Sequence, residues 1–440
     1  MKRLIAFILA LSLSLSLLAS CGALGYKRHS VANASEKIKV TYTDYQQDGY
    51  AEFIDKLSVF SARLTDAVAS GGELDENIAI SPISIYMALA LAVECAVGDT
   101  RDEILAAIGV SYEEVERFTP YLYAFSNRDF KYVNPMGKEK TLAFEELSNS
   151  FWADDDITLN TRGVEKLADN YNCDLFKVDF GGSEAKRAIG AYIKDKTHGL
   201  VDGDIDLSPE TIITLINTFY LKEVWNSDGD DLPMTSVEYD FLCADGETER
   251  ERFLQGYYHD GKAYDGDGYS AFYTNTDHGF SIKFILPDED KALSEVFTAE
   301  NIYTVNSITD WGRVDHENRL IHSTRAIFPE YDAEYDEDIA NILKDEFGIK
   351  TIFNPLESDL SGITDMPAYC SEVIHKCSLE VNKRGIEGAA VTIMGMCGSA
   401  GPPIDEYEEV YHDFVVDRAF GFVITDSYGA VLFSGVVNEI

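Results

Sequence analysis

Residues 383–392 read Lys-Arg-Gly-Ile-Glu-Gly-Ala-Ala-Val-Thr, and they follow a strand-like run, Cys-Ser-Leu-Glu-Val-Asn, at 377–382. A central strand is buried on both faces, so bulk and charge are penalised there. Small, uncharged side chains are what a segment needs if it is to slide into such a position. Successive residues of a strand point to opposite faces. One set here is Ile386, Gly388, Ala390, Thr392, Met394 and Met396, none of them charged. The other is Glu387, Ala389, Val391, Ile393, Gly395 and Cys397, whose single charge is Glu387. One face suits a core and the other a more solvated surface. Taken alone, the pattern fits either a Gly/Ala-rich surface loop between strands or a loop with an exposed and an inserted state.

The N-terminus bears on the compartment. Met1-Lys2-Arg3 is basic, residues 4–18 are apolar with interspersed Ser, and Leu18-Ala19-Ser20-Cys21 closes the run. A short basic start, an apolar stretch and small residues before a cut describe a secretory signal rather than a spanning helix. The Leu-Ala-Ser-Cys ending resembles a bacterial lipoprotein box with Cys21 as the lipidated residue; the alternative is an ordinary signal peptide with a coincidental Cys. The expected layout is a signal peptide over 1–20, a lipidated N-terminus and polar tether over 21–48, and one domain over 49–440. That places the protein outside the cell, on a bacterial surface, held to the membrane by lipid.

Asp and Glu total 77 against 36 Lys and Arg, a formal net charge of −41. Like charges repel, which argues against nucleic-acid or anionic-membrane binding apart from the anchor. Seven Cys are present, and those beyond Cys21 (Cys95, Cys173, Cys243, Cys370, Cys377 and Cys397) form no CxxC pair and no metal-ligand spacing. Buried free thiols are the expectation, with no metal and no cofactor. After residue 48 no linker, repeat or low-complexity run divides the chain, so one large domain is the simpler reading.

The periodicities predict an α+β fold. Helices are expected over residues 51–69, 83–97, 100–108, 161–171, 184–197 and 338–347. The second is apolar almost all round, and Ser81-Pro82 supplies its N-cap and first-turn proline. Strands are expected at 77–80, 143–154, 211–224, through 237–286, at 326–329, 420–425 and 430–437. The sum is helices early and large antiparallel sheets later.

Several motifs then appear in a fixed order: Asn77-Ile78-Ala79-Ile80-Ser81-Pro82-Ile83-Ser84-Ile85, Gly98-Asp99-Thr100-Arg101, Asn217-Thr218-Phe219-Tyr220-Leu221-Lys222 with Trp225, and Phe284-Ile285-Leu286-Pro287. Phe328-Pro329-Glu330-Tyr331, Asp359-Leu360-Ser361-Gly362-Ile363, His375-Lys376 and the C-terminal Gly429-Ala430-Val431-Leu432-Phe433-Ser434-Gly435 complete the series. Over residues 50–440 the chain resembles a serpin. The resemblance implies the serpin fold: a helical N-terminal part, large antiparallel sheets and an exposed reactive loop, here about 383–411. It implies a suicide inhibitor of extracellular proteases, not an enzyme. A protease cuts the loop, forms an acyl-enzyme, and is carried along as the cleaved loop inserts into the central sheet. The partner is the target protease, in a covalent complex with a monomeric inhibitor.

The resemblance also assigns residues. Gly385, Ile386, Glu387, Gly388, Ala389, Ala390, Val391 and Thr392 form the hinge. Ser81, Ser84, Asn217 and His375 form a polar cluster beneath the sheet, and Trp225 caps the point where insertion begins. The bland alternatives are a satisfied core histidine and a core aromatic. A count of about fourteen residues from Gly385, at ~3.3 Å per residue along a strand, puts the reactive bond at Ser399-Ala400, with the bonds after Met396 and Cys397 as neighbours. No basic residue stands there, so elastase-like or subtilisin-like serine proteases fit better than trypsin-like ones; papain-like cysteine proteases are an alternative. Three departures from the family stand out: Ile386 is bulkier than the usual Thr, Lys383 replaces a common Glu, and an acidic run at 405–409 follows the bond. A non-inhibitory surface binding or decoy protein is the competing reading. A lipoprotein hydrolase finds no Gly-x-Ser-x-Gly elbow to support it.

Overall fold

A computed structural model describes residues 25–33, 47–72, 76–133, 139–201, 203, 205, 207–208, 210–225, 231–259, 261–276, 278–388 and 407–440. Helix α1, Tyr50–Ala69, repeats apolar residues at helical spacing and buries Tyr50, Phe53, Ile54, Leu57, Phe60, Leu64 and Val68. Helix α2, Pro82–Cys95, is buried at every position but Ala88 and passes beneath the main sheet. Helix α3, Asp99–Ile108, stops at Gly109, whose φ of +73° is the left-handed conformation glycine adopts without strain. Helix α4, Tyr112–Phe125, is absent from the sequence reading. Its signal is the reciprocal capping box between Ser111 and Glu114.

Fourteen strands among the described residues join in one sheet. The strands that matter below are β1 (Ile78–Ile80), β2 (Glu139–Asp154), β3 (Cys173–Val178), β4 (Ile213–Val224), β5 (Tyr269–Asn275), β6 (Ser281–Pro287), β7 (Leu320–Phe328), β8 (Tyr331–Asp338), β9 (Ile374–Asn382), β10 (Gly385–Gly388), β11 (Glu408–Val415), β12 (Phe420–Thr425) and β13 (Val431–Val437). The central order is β3-β2-β4-β10-β9-β8-β1-β13-β12-β6-β5. A second sheet contains β7 and β11, with Leu254–Tyr258 also paired to β7.

The sheets are mostly antiparallel, as expected, with a few parallel pairings among the described residues. β2 and β3 run parallel because helix α5, Thr161–Asn170, makes the crossover between them. β8 is parallel to β1, and β7 to β11. Helices of the first half are thus partly crossovers of the same sheet that the later strands complete. Residues on β2 alternate between its two faces: Phe151 joins the core around α2, while Trp152 joins a second apolar cluster under helix α6, Ser183–Lys196.

Two further expectations change. The segment after the hinge, expected to be loop as far as Tyr411, becomes strand at Glu408. Its outward acidic residues hide an edge strand that pairs Leu320–Ile327 with Glu408–Val415. Residues 25–32, expected to be polar tether, fold onto the domain. Gly25–His29 is a 3-10 turn, and Ser30–Ala32 pairs with β3. One aromatic residue explains this: Tyr26 is buried among the rings of Phe176 and Tyr192.

Below the short β10, no ladder joins β4 to β9 among the described residues. A cleft of ≈ 40 Å³ remains there, room for about two to three waters. Ser81, Ser84 and Phe433 line its lower side, and Ile193 and Thr197, at the end of α6, its upper side. The underside depends on α2. Leu91 is fully buried there, so Leu91→Ala should lower stability by about 2–5 kcal/mol, read as a lower urea midpoint with an unchanged slope.

Candidate functional site: the mouth and floor of the sheet cleft

The first four hinge residues are strand β10, already seated between β9 and β4. Val381 pairs with Ile386 and Glu380 with Glu387 on one side; Glu223 pairs with Ile386 and Lys222 with Glu387 on the other. The chain reverses through Lys383-Arg384, a two-residue turn. Lys383 N–H donates to Glu330 Oε1 at 2.6 Å, and Lys383 carbonyl accepts from Leu232 N–H at 2.7 Å. Gly385 is required at the mouth: its φ is +156°, and a Cβ there would collide with the Glu223 carbonyl.

The alternation of faces decides what each hinge residue meets. Ile386 points to the core and is fully buried. Glu387 points outward, 2.9 Å from Lys222 Nζ, and accepts a 2.8 Å hydrogen bond from the Tyr220 hydroxyl. Partial burial pushes the Glu387 carboxyl up, but the bonds from Lys222 and Tyr220 outweigh it and hold the group below its usual range. Beneath the mouth, Trp225 Nε1 donates to the Asn382 carbonyl at 2.6 Å, and its ring meets Phe328 edge-on. The neighbouring Glu223 is buried and lies 2.8 Å from His278 Nδ1. Burial raises its carboxyl, with His278 opposing the rise.

The polar cluster lies farther down. Trp225 is eight residues along β4 from Asn217, roughly 25 Å at strand rise, so the structure does not bring Trp225 into that group. The other four meet at the first turn of α2. His375 Nε2 accepts the backbone N–H of Ser81 at 3.1 Å. Ser84 hydroxyl donates to Asn217 Oδ1. Asn217 Nδ2 donates to Asn149 Oδ1 at 2.6 Å and to the Ser148 carbonyl at 3.2 Å. One bond thus ties β9 to α2, and the others tie β4 to α2 and β2. Ser81 occupies the N-cap position, but its hydroxyl makes no cap bond and is buried without a partner. Burial drives the His375 pKa down to about 4, so the ring is neutral at physiological pH and accepts through Nε2.

Ala389, Ala390, Val391, Thr392, Ser399, Ala400 and Cys21 lie outside the described residues. Sequence reasoning missed Lys222, Tyr220 and Asn149. The first two share one face of β4 at i, i+2, and Asn149 sits directly across from Asn217 in the ladder. Cys95, Cys173, Cys243, Cys370 and Cys377 are free thiols. Among the described residues, no group of three or more His, Cys, Asp or Glu could hold a metal ion.

A family model described as "Serpin (serine protease inhibitor)" matches residues 55–440. The chain belongs to the serpin family. It is 28% identical over 404 residues to Serpin-Z2A of Triticum aestivum, covering 87% of this chain and 95% of that protein. It is 27% identical over 336 residues to alpha-1-antitrypsin of Meriones unguiculatus, covering 74% of this chain and 77% of that one. Among solved structures, the native state of the thermophilic serpin tengpin overlays with a TM-score of 0.71 at 22% identity, covering 94% of this chain and 98% of that one. Thyroxine-binding globulin in complex with thyroxine gives 0.69 at 20%, covering 88% and 99%. These likenesses bear out the α+β serpin fold, and the family is one of protease inhibitors rather than of catalysts.

Two measurements probe the site. The His375 pKa of about 4 lies below its ordinary 6.5. A depressed folded-state value contributes stability that is present above pH 6.5 and lost as pH falls through about 4, up to about 3 kcal/mol in all. His375→Asn should flatten the pH dependence of urea unfolding between those limits relative to the parent protein. Glu387→Ala should loosen the mouth by about 1 kcal/mol, discounted because the pair is partly solvated, seen as faster amide exchange at residues 385–388.

Proposed function

We propose that this serpin is a suicide inhibitor of extracellular serine proteases of the elastase-like or subtilisin-like type. The observation that carries this reading is residues 385–388 seated as β10 at the mouth of a strand position that, among the described residues, nothing else fills. The ladder has a definite continuation. Residue numbers paired across β9 and β10 sum to 767, as in Val381 with Ile386, and those across β4 and β10 sum to 609, as in Glu223 with Ile386. Carried forward, Ala390 comes opposite Cys377 and Phe219. Thr392 comes opposite His375 and Asn217 together. The core-facing set Ile386, Gly388, Ala390 and Thr392 thus runs from the mouth down to the polar cluster. It ends with a hydroxyl where polar partners already stand.

In this reading the protease serine attacks the Ser399 carbonyl and the Ala400 amine leaves, giving an ester-linked acyl-enzyme. Residues 389–399 then extend β10 along β4 and β9. The bound protease is carried to the far end before water can release it. The bulk of Ile386, a concern from sequence, lies in a residue already buried at rest, so it does not burden the later step. Residues 1–20 serve as signal peptide, Cys21 carries lipid, and the domain acts as a monomer at a bacterial surface.

Incubation with an elastase-like serine protease should give an SDS-resistant complex and a C-terminal fragment beginning near Ala400. Simple cleavage with full protease activity would sink this reading in favour of a non-inhibitory decoy. A complex with papain-like enzymes alone would change the target class. Ala390→Arg should convert inhibitor to substrate, because a charge would have to enter between Phe219 and Cys377, both buried.

A further inference from the structure

We propose that the paired rings of His322 and His412 form an acid-sensitive latch between β7 and β11, which fastens the far end of the reactive loop at neutral pH and releases it on acidification. What the latch means for inhibition rests on the reading of that loop as bait; the latch itself does not.

Four of the chain's eight histidines, His259, His316, His322 and His412, lie in or beside the strands of the second sheet. β11 is the first described strand after the hinge, and it pairs along its whole length with β7. In that register His322 stands opposite Val410 and His412 opposite Thr324, so the two histidines sit diagonally on one face. Their ring centroids are 5.1 Å apart, and His322 Nδ1 lies 2.9 Å from His412 Nε2. A contact of that length needs one N–H facing one bare ring nitrogen. An imidazole protonated on both nitrogens has only donors. The bond therefore survives with one ring charged and fails with two, when N–H meets N–H and like charges adjoin.

His322 is 7% exposed and His412 half-buried. Burial lowers the His322 pKa, and His412 and Lys262 push the same way; Asp315, on the two-residue strand paired with the start of β7, opposes them. Arg313 stands beside the ring's own backbone, its carbonyl accepting the His322 N–H at 2.8 Å. A depressed value contributes stability that is present above the ordinary 6.5 and lost as pH falls below it. The other links between β7 and β11 do not weaken in that range. On the opposite face, Arg325 holds Asp413 through two bonds of 2.9 and 2.6 Å. Ser323 hydroxyl donates to Glu409 Oε1 at 2.8 Å, and His259 Nδ1 lies 3.4 Å from the same carboxylate. Bonds from Tyr411 and Ser323 hold Glu409 below its ordinary range, so protonation of His259 strengthens that pair. At the edge, His316 Nδ1 lies 2.9 Å from the Tyr407 hydroxyl. The outer pairs are solvated and worth little, whereas repulsion at a buried contact is poorly screened. The inner pair decides the sign.

The test uses the full chain and amide exchange at about pH 7.5 and about pH 5.5, corrected for the intrinsic pH dependence of exchange. In the parent protein, protection of residues 408–415 should fall by about tenfold at the lower pH, the change that one unit of pKa displacement yields, while β12 and β13 keep theirs. His412→Gln and His322→Asn should each abolish that fall, and His259→Gln should enlarge it. Unchanged protection at 408–415 in the parent overturns the proposal. So does a fall that persists in both pair variants, one that vanishes in His259→Gln instead, or one shared equally by β12 and β13. Protease does not enter the measurement, so failure of the inhibitory reading is distinguishable from failure of the latch.

Discussion

The rest of the structure is arranged around the gap between β4 and β9. Among the described residues, the four of β10 alone join the two strands, and below them neither strand has the other as a ladder partner. Backbone donors and acceptors at such a position gain from a new strand, since buried unpaired groups are costly. What keeps the position open is therefore as informative as what would close it. Ser81 and Ser84 tie the two flanking strands to α2 from below, through His375 and Asn217. Helix α6 packs on β4 from above, and Trp225 braces the turn at the mouth.

That residues 385–388 form strand was legible in the sequence through their period-two alternation, with no charge on the core-facing side. Ile386 and Glu387 show the alternation directly, one fully buried and the other clasped by Lys222 and Tyr220 at the surface. The clasp itself was not legible. Lys222 and Glu387 are 165 residues apart, and only the register of β10 on β4 brings them together. Helix α4 was missed although Ser111 and Glu114 announce it. Strand β11 was missed because Glu408 and Glu409 look like solvated loop when their partner strand is unknown.

The N-terminal segment shows the opposite failure. A polar stretch after an apolar leader reads as tether on composition, and residues 27–30 are Lys, Arg, His and Ser. A single aromatic overrides that average, because a buried ring contributes more than several solvated side chains can oppose. Tyr26 finds a ready pocket between Phe176 and Tyr192, and β3 offers an unpaired edge beside it. Free edges invite strands, and this chain satisfies its own edge.

The described hinge strand ends at Gly388, and in the proposed insertion each further residue gains some contacts and breaks others. Up to Glu387 the gains are large: Ile386 buries a branched aliphatic side chain suited to a strand, and Glu387 finds two partners. Beyond it, Gly388, Ala389 and Ala390 bring little side-chain burial, so each further step gains mainly ladder hydrogen bonds. Those steps require β4 and β9 to separate, which strains the Ser84–Asn217 and Ser81–His375 bonds and lifts α6. Small residues make insertion permissible but do not drive its first stages. The return improves only when Thr392 reaches the level of Asn217 and His375 and offers a hydroxyl to groups whose bonds have been disturbed. A chain free at one end can cross that interval. A loop still tethered at Glu408 must also draw its far end across the molecule.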